Sequence, residues 1–404
     1  MSKTMTRALG LAALGACAQT AHAQDVTLKP LIDARLRYEH VDQDGIADQA
    51  DAATLRVRSG VQASTGPWSA LVESEATIGI ANHYNDGLNG RPLPLVADPQ
   101  NIEINRAQIR YAAHKASITA GRQVLDLADQ RFVGPAPWRQ NEQTFDAVRV
   151  TWAGLPRLSI DASYVWSVRT VNGIDGTGAR PTAIPGSNWF GLVSYTAPIG
   201  TLTGFAYLVD QNLAAVQGFR LSSQSYGVRF AGSRPIAPGW KIGYIASAAR
   251  QSDYRRNPNR YAASYYLAEA NVSGKVLAAT AGYEVLGADH GTALTSFQTP
   301  LASLFRFQGW AGKFGTTPPN GIRDLYGTLG ANWKTKGLIS GVGLGATWHH
   351  FDSDRLSQHY GDELDLLAQA KLKRFTVAAR LARYKADRFQ TDTTKGFLSV
   401  EWVL

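Results

Sequence analysis

Residues 363–384 read ELDLLAQAKLKRFTVAARLARY, and a two-residue period runs through them almost without a break. Leu364, Leu366, Ala368, Ala370 and Leu372 alternate with Asp365, Leu367, Gln369, Lys371 and Lys373. After Arg374 the pattern restarts, with Phe375, Val377, Ala379 and Leu381 on one face and Thr376, Ala378, Arg380, Ala382 and Tyr384 on the other. Successive side chains of a strand point to opposite faces, so the run predicts two strands joined by a tight turn. A helix would gather Leu364, Leu367, Ala368 and Lys371 into one stripe, which the charge of Lys371 interrupts, and Phe375, Thr376 and Val377 favour a strand. The chain then closes on Leu398, Val400, Trp402 and Leu404, alternating with Phe397, Ser399, Glu401 and Val403. An apolar terminal strand of this kind is expected to pair with the first strand and close a barrel.

The same alternation extends back through the chain. Leu28, Pro30, Ile32, Ala34, Leu36 and Tyr38 oppose Asp33, Arg35, Arg37 and Glu39; Trp68, Ala70, Val72, Ala76, Ile78 and Ile80 oppose Glu73, Glu75 and Thr77. Eighteen such segments can be placed, each individually weak, as barrel strands are. The connections are more telling because they alternate in length. Short ones fall at 65–67, 112–116, 153–157, 196–201, 232–239, 273–275, 334–337 and 373–374. Long ones fall at 40–53, 81–101, 123–144, 170–188, 210–223, 250–261, 286–322, 350–362 and 385–395. Eight short and nine long connections predict an all-β, antiparallel, up-and-down transmembrane barrel of eighteen strands with both termini on the short-turn, periplasmic side. Lipid offers an open sheet edge no hydrogen bonds, so such a sheet must close.

The amino-terminal residues 1–23 carry Lys3 and Arg7, an apolar run from Ala8 to Ala18, and the small-x-small triplet Ala21, His22, Ala23, the pattern of a cleaved export signal. A competing lipoprotein box, Leu14, Gly15, Ala16, Cys17, is passed over because the better cleavage site lies downstream. The barrel is then expected to occupy residues 24–404 in the outer membrane of a Gram-negative bacterium. Cys17 is the only cysteine, so this mature chain has no disulfide and no thiolate metal site. Past the signal no apolar run is long enough for a transmembrane helix, while 10 Trp, 16 Tyr, 14 Phe and 39 Gly against 2 Met favour aromatic-rich strands and turns. Losing Lys3 and Arg7 leaves 39 basic against 32 acidic residues, a net charge of +7.

One family is brought to mind by particular residues. Gly121, Arg122 and Gln123, the run Asp129, Gln130, Arg131, Phe132, Val133, Gly134, then Trp138, Arg139, Gln140 and Phe145, Asp146, Ala147, Val148, Arg149 resemble the alginate export family of outer-membrane barrels. Residues 297–300, then Phe307, Gln308, Gly309, Trp310, Ala311, Lys313 and 314–318 in the seventh long loop resemble it too. The resemblance implies an export channel for an acidic polysaccharide such as alginate.

Chemistry is expected on the lumen face. Polar parity turns Arg35, Arg37, Arg56, Arg58, Arg106, Arg110, Arg149, Arg229 and Arg380 inward, with Glu73, Glu75, Asp161, Glu269, Asp365 and Glu401 among them. Guanidinium forks suit carboxylates, so a ladder of arginines could hand an anionic polysaccharide or a small anionic solute along the wall; the plainer reading is that the arginines pair with wall carboxylates. Arg35, Arg37, Arg56 and Arg58 are expected to crowd one patch. The seventh loop carries Phe305, Phe307, Trp310 and Phe314, too apolar for water, and is expected to fold back and narrow the mouth. His349 and His350 are adjacent, face opposite sides of a strand and cannot chelate together; Gly341, Gly343 and Gly345 at period two are no nucleotide loop. No catalytic triad, metal site or cofactor motif is found, and no nucleic-acid surface. Lipid is the expected surroundings and periplasmic secretion partners stay open. The second reading is a structural or receptor barrel acting through its outer loops.

Overall fold

Eighteen antiparallel strands close into a single barrel in the computed structural model, which describes residues 25–404; the expected signal at 1–23 lies outside them. The strands are β1 (Thr27–Gln43), β2 (Ala50–Thr65), β3 (Trp68–His83), β4 (Asn101–Ala113), β5 (Ala116–Gln123), β6 (Thr144–Trp152), β7 (Leu158–Arg169), β8 (Ala183–Ala197) and β9 (Gly200–Val209). The second half comprises β10 (Ser223–Ala237), β11 (Trp240–Asp253), β12 (Ala262–Ser273), β13 (Leu277–Leu286), β14 (Ile322–Lys334), β15 (Ile339–Asp352), β16 (His359–Leu372), β17 (Phe375–Ala386) and β18 (Thr393–Val403). Each strand pairs with the next, and β18 returns to β1 with Arg35 opposite Glu401 and Leu36 opposite Val400. The start of β1 and the end of β18 both lie at the short-turn end, as expected.

Connections shorten where strands outrun their apolar alternation. The first long loop contracts from 40–53 to 44–49 and the eighth from 350–362 to 353–358, while β10 continues through Arg234 and Pro235, leaving only 238–239 as a turn. These strand ends rise past the hydrocarbon, so nothing requires one face to be apolar, and the period fades although the ladder continues.

Outward residues form the apolar band: Ile80, Ile102, Ile109, Val228, Leu329 and Leu398 are each more than half exposed. A continuous surface of this kind is a lipid surface. Trp68, Trp240 and Trp333 ring the short-turn end, and Trp166, Trp189 and Trp348 the other, at interfacial depth. Leu398→Arg, in mid-strand on this face, is expected to cost about 2–4 kcal/mol, measured by denaturant unfolding of the barrel in lipid vesicles.

Inside the loop half, polar-inward parity gives way. Phe145, Phe190, Phe205, Tyr207, Tyr265, Phe351, Tyr384 and Phe397 point inward and are buried. They receive the third long loop, L3 (124–143), and the seventh, L7 (287–321), whose Leu125, Leu127, Val133, Phe297, Leu301 and Phe314 complete one apolar core within the barrel.

A constriction built by two inward loops

L3 and L7 are tied to each other before either is tied to the wall. The Gly134 N–H donates to the Leu301 carbonyl at 2.9 Å, Ser303 N–H to the Gln130 carbonyl at 3.1 Å, and Gln143 Nε2 to the Leu301 carbonyl at 3.0 Å. Arg131 of L3 is the rivet. Its Nε meets Glu284 Oε1 of β13 at 2.7 Å, Nη1 donates to Thr299 Oγ1 at 3.0 Å and Nη2 to Gln308 Oε1 at 3.1 Å. Burial opposes its charge, but Glu284, together with Tyr265 and Asp129, outweighs this and holds the guanidinium pKa above its usual value. Removing one member of a buried pair costs about 3–5 kcal/mol, so this junction is stiff.

L7 reaches the opposite wall through its backbone. The Trp310 N–H donates to Asp365 Oδ2 at 3.2 Å and the Ala311 N–H to Glu363 Oε1 at 2.6 Å, both on β16. The preceding Gly309 has φ +78°, and a Cβ there would sit 2.4 Å from the Glu363 carboxylate, so only glycine lets the loop approach. Gln298 and Gln251 of β11 exchange a pair of hydrogen bonds at 2.7 and 2.8 Å.

Between the loops and the wall lies a cavity of about 900 Å³. Its edge is an aromatic stack: Trp138 of L3 lies 3.6 Å from Phe305, centroid to centroid and nearly parallel, Phe305 continues to Trp310 at 5.8 Å, and Phe397 of β18 meets Trp138 and Phe305 edge-on. Phe307 lines the same space, over the Arg131 guanidinium. Thus Phe305, Phe307 and Trp310 line the cavity. Phe314, expected with them, does not: it packs behind the loop against Phe351, Tyr384 and Phe389, because the loop is held to the wall from Trp310 and Ala311 onward and buries its next large apolar residue there.

The expected arginines do point inward, but few are free. Arg106 takes Glu73 at 2.8 and 2.5 Å, Arg58 takes Glu75 at 2.5 Å and Glu142 at 3.3 Å, Arg149 takes Asp161 at 2.9 Å, and Arg229 takes Asp129 of L3 at 3.1 Å. Arg56 is shared by Asp33 and Glu401, and Arg37 pairs with Asp98 of the second long loop while donating to the Trp138 carbonyl. Arg35 spends its whole fork on L3, donating to Gln140 Oε1 and the Pro137 carbonyl at 2.9 Å and to the carbonyls of Trp138 and Arg139. The crowded arginine patch of β1 and β2 is therefore largely neutralised or used to hold loops. Desolvation explains this: an unpaired charge against an apolar loop core is costly, whereas a paired one is tolerated. Arg110 faces the lumen near the short turns, exposed and without an ion pair among the described residues.

Arg380 of β17 is the exception at the constriction. Its guanidinium lies 5.1 Å from the Trp138 ring and 5.8 Å from the Trp310 ring, with no ion pair among the described residues. Arg139, Arg180 and Arg306, from three loops, also line the cavity without carboxylate partners among those residues. Opposite them, β12 to β16 present Glu269, Glu284, Asp324 and Asp365 to the same space; Tyr326 donates to Glu269 at 2.5 Å and His349 Nδ1 lies 2.9 Å from Asp324. Unpaired arginines thus stand by β17 and the loops and acids by β12 to β16, while Glu401 of β18 and Asp129 of L3, which line the same space on the arginine side, are taken by Arg56 and Arg229. Parity alone gave neither Arg131 nor Arg139 nor Trp138 a place in the site, since all three stand on a loop; their signal was an arginine and a tryptophan within an apolar loop.

No protein-family model matches the chain, and comparison with curated proteins finds no match. Solved structures do match. Pseudomonas aeruginosa OpdO superposes with a TM-score of 0.70 at 14% identity over 93% of this chain and 97% of its own; Acinetobacter baumannii OccAB3 gives 0.68 at 14% over 93% and 99%. P. aeruginosa OpdK, solved with vanillate, gives 0.64 at 13% over 93% and 98%. The fold is that of the Occ and Opd outer-membrane porins. At such identities the likeness is one of architecture. A porin fold with an apolar band and two aromatic rings belongs in the Gram-negative outer membrane. These neighbours are not alginate exporters, so the expected membership of the alginate export family is not supported.

Proposed function

We propose that the protein is a passive channel for small anionic solutes, with planar carboxylates, aromatic ones included, as the preferred class. The observation that carries this is Arg380, a guanidinium without an ion pair among the described residues, lying over the Trp138 and Trp310 rings at the edge of the cavity. A carboxylate can take the fork while a flat ring slides along Phe305 and its neighbours, each contact weak enough to release. Size favours the same reading: about 900 Å³ between two interlocked loops suits one small solute, whereas a polyuronate needs a continuous thread-through path. OpdK, similar in fold, was solved with vanillate, an aromatic carboxylate.

Uptake into vesicles containing the barrel tests this. Vanillate is expected to enter faster than an uncharged aromatic of the same size, and a uronate oligomer to be excluded; equal entry of charged and neutral solutes, or passage of the oligomer, contradicts the proposal.

A further inference from the structure

At the loop end of the wall, on the outward face, two histidines and two aspartates close into a ring that the channel does not use. His350 Nδ1 lies 2.8 Å from Asp362 Oδ1 and its Nε2 lies 3.5 Å from Asp352 Oδ2. His359 Nδ1 lies 3.2 Å from Asp352 Oδ1 and its Nε2 lies 3.3 Å from Asp362 Oδ2. The two imidazoles stack at 4.5 Å and 20°. We propose that His350, His359 and Asp352 form a binding site for a divalent transition-metal cation of the zinc type, with Asp362 holding the far nitrogens of both imidazoles, and that the site staples β15 to β16 at the outer rim.

The strand pattern is bent to make this cluster. His350 and Asp352, two apart, share a face in the ordinary way. His359 and Asp362 are three apart and in a regular strand would face opposite sides. The register of β15 with β16 shifts between Phe351 and Asp352, so that Phe351 pairs with Gly361 and Asp352 with His359, leaving Tyr360 as the extra residue of a bulge. Gly361, at φ +146°, accommodates it. The bulge re-aims His359 onto the face of Asp362, and the ligand atoms of His350, Asp352 and His359 come to lie within 4.8 Å of one another. Among the described residues no other group of three or more such side chains converges in this way.

Donor counting gives the reason for a cation. Four ring nitrogens each face a carboxylate oxygen, but a neutral imidazole carries one N–H. With one N–H per ring two contacts are satisfied and the other two set lone pair against lone pair, a conflict that either a second proton on each ring or a bound cation relieves. The cation would be bound by those nitrogens and the Asp352 carboxylate. Two nitrogens with the Asp352 carboxylate is a set for Zn²⁺ or its first-row neighbours, the remaining position being left to water, while Ca²⁺ and Mg²⁺ prefer oxygen throughout. The nearby cation Arg323 is engaged by Asp354 at 3.1 Å, which leaves Asp352 to the imidazoles.

Titration calorimetry of the tag-free barrel in detergent with ZnCl₂ alone is the test, folding being checked by heat-shifted gel migration. One Zn²⁺ per chain is expected, with affinity reduced at least about tenfold in His359→Gln and in Asp362→Asn, since even outer-sphere partners cost that much, and unchanged in His83→Gln. Should the variants fail to fold, the visible spectrum of the wild-type barrel with Co²⁺ decides: four-coordinate nitrogen–oxygen bands are expected. An absence of binding, binding unaltered in His359→Gln, equal affinity for Ca²⁺, or a Co²⁺ spectrum of the hydrated ion overturns the proposal.

Discussion

Excising residues 300–318 is expected to raise single-channel conductance severalfold while leaving the barrel folded. The segment contains Phe305, Phe307 and Trp310, and with them the ring that stacks on Trp138. Its removal opens the lumen of an eighteen-stranded wall, a size that otherwise leaves an aqueous channel. The cut spares the Arg131 to Glu284 pair and the Gln298 to Gln251 exchange, so that pair keeps its charges matched although both members lose Gln308; Glu363 and Asp365 lose the backbone amides of Ala311 and Trp310 but regain water. Every strand pairing is untouched, since the cut lies inside one loop. Planar-bilayer recordings read the outcome, and unchanged unitary conductance would show that L7 does not obstruct the pore.

Arg380→Glu is expected to collapse or invert ion preference, whereas removing a whole lumen ion pair, Arg149→Gln with Asp161→Asn, should leave it nearly intact. Arg149 sits on Asp161, so the pair contributes little net field at the passage and its joint removal leaves the charge of the wall unchanged. Arg380 has no such partner among the described residues. In water an anion about 5 Å from a unit charge feels about 0.8 kcal/mol, so reversing the sign shifts its free energy by about 1.7 kcal/mol, over tenfold in local occupancy before salt screens it. Reversal potentials of the variants, measured across one salt gradient, give the comparison; an Arg380→Glu channel as anion-selective as its parent would remove Arg380 from the path.

Most of the fold could be read because lipid enforces it. A wall with hydrocarbon on one side must alternate, so the run at 363–384, the closing strand and the eight-and-nine rhythm of connections all predict what is observed. The site was legible only in part. Inward parity placed Arg35, Arg37, Arg106 and Arg149 on the right face, but which carboxylate each meets depends on register and on where L3 and L7 lie, and neither has a periodic signature. Asn105 shows the difficulty: a bulge in β4 turns both it and Arg106 inward onto Glu73. The bulge at Tyr360 hid the partner of His350 in the same way, since adjacency with His349 was the only pairing that a regular strand offered. His349 instead faces inward to Asp324. The inner aromatic residues Phe205, Tyr207 and Phe397 broke the polar-inward rule because loops, not water, fill that half of the barrel.

The central claim is that this barrel passes small anions through a constriction whose free charge is arginine. The reversal potential of the unaltered channel in a bilayer, under a gradient of the sodium salt of a small aromatic carboxylate, tests it most directly. A potential on the carboxylate side of zero, moving toward zero in Arg380→Gln, is the result this account requires; a sodium-selective potential would contradict it.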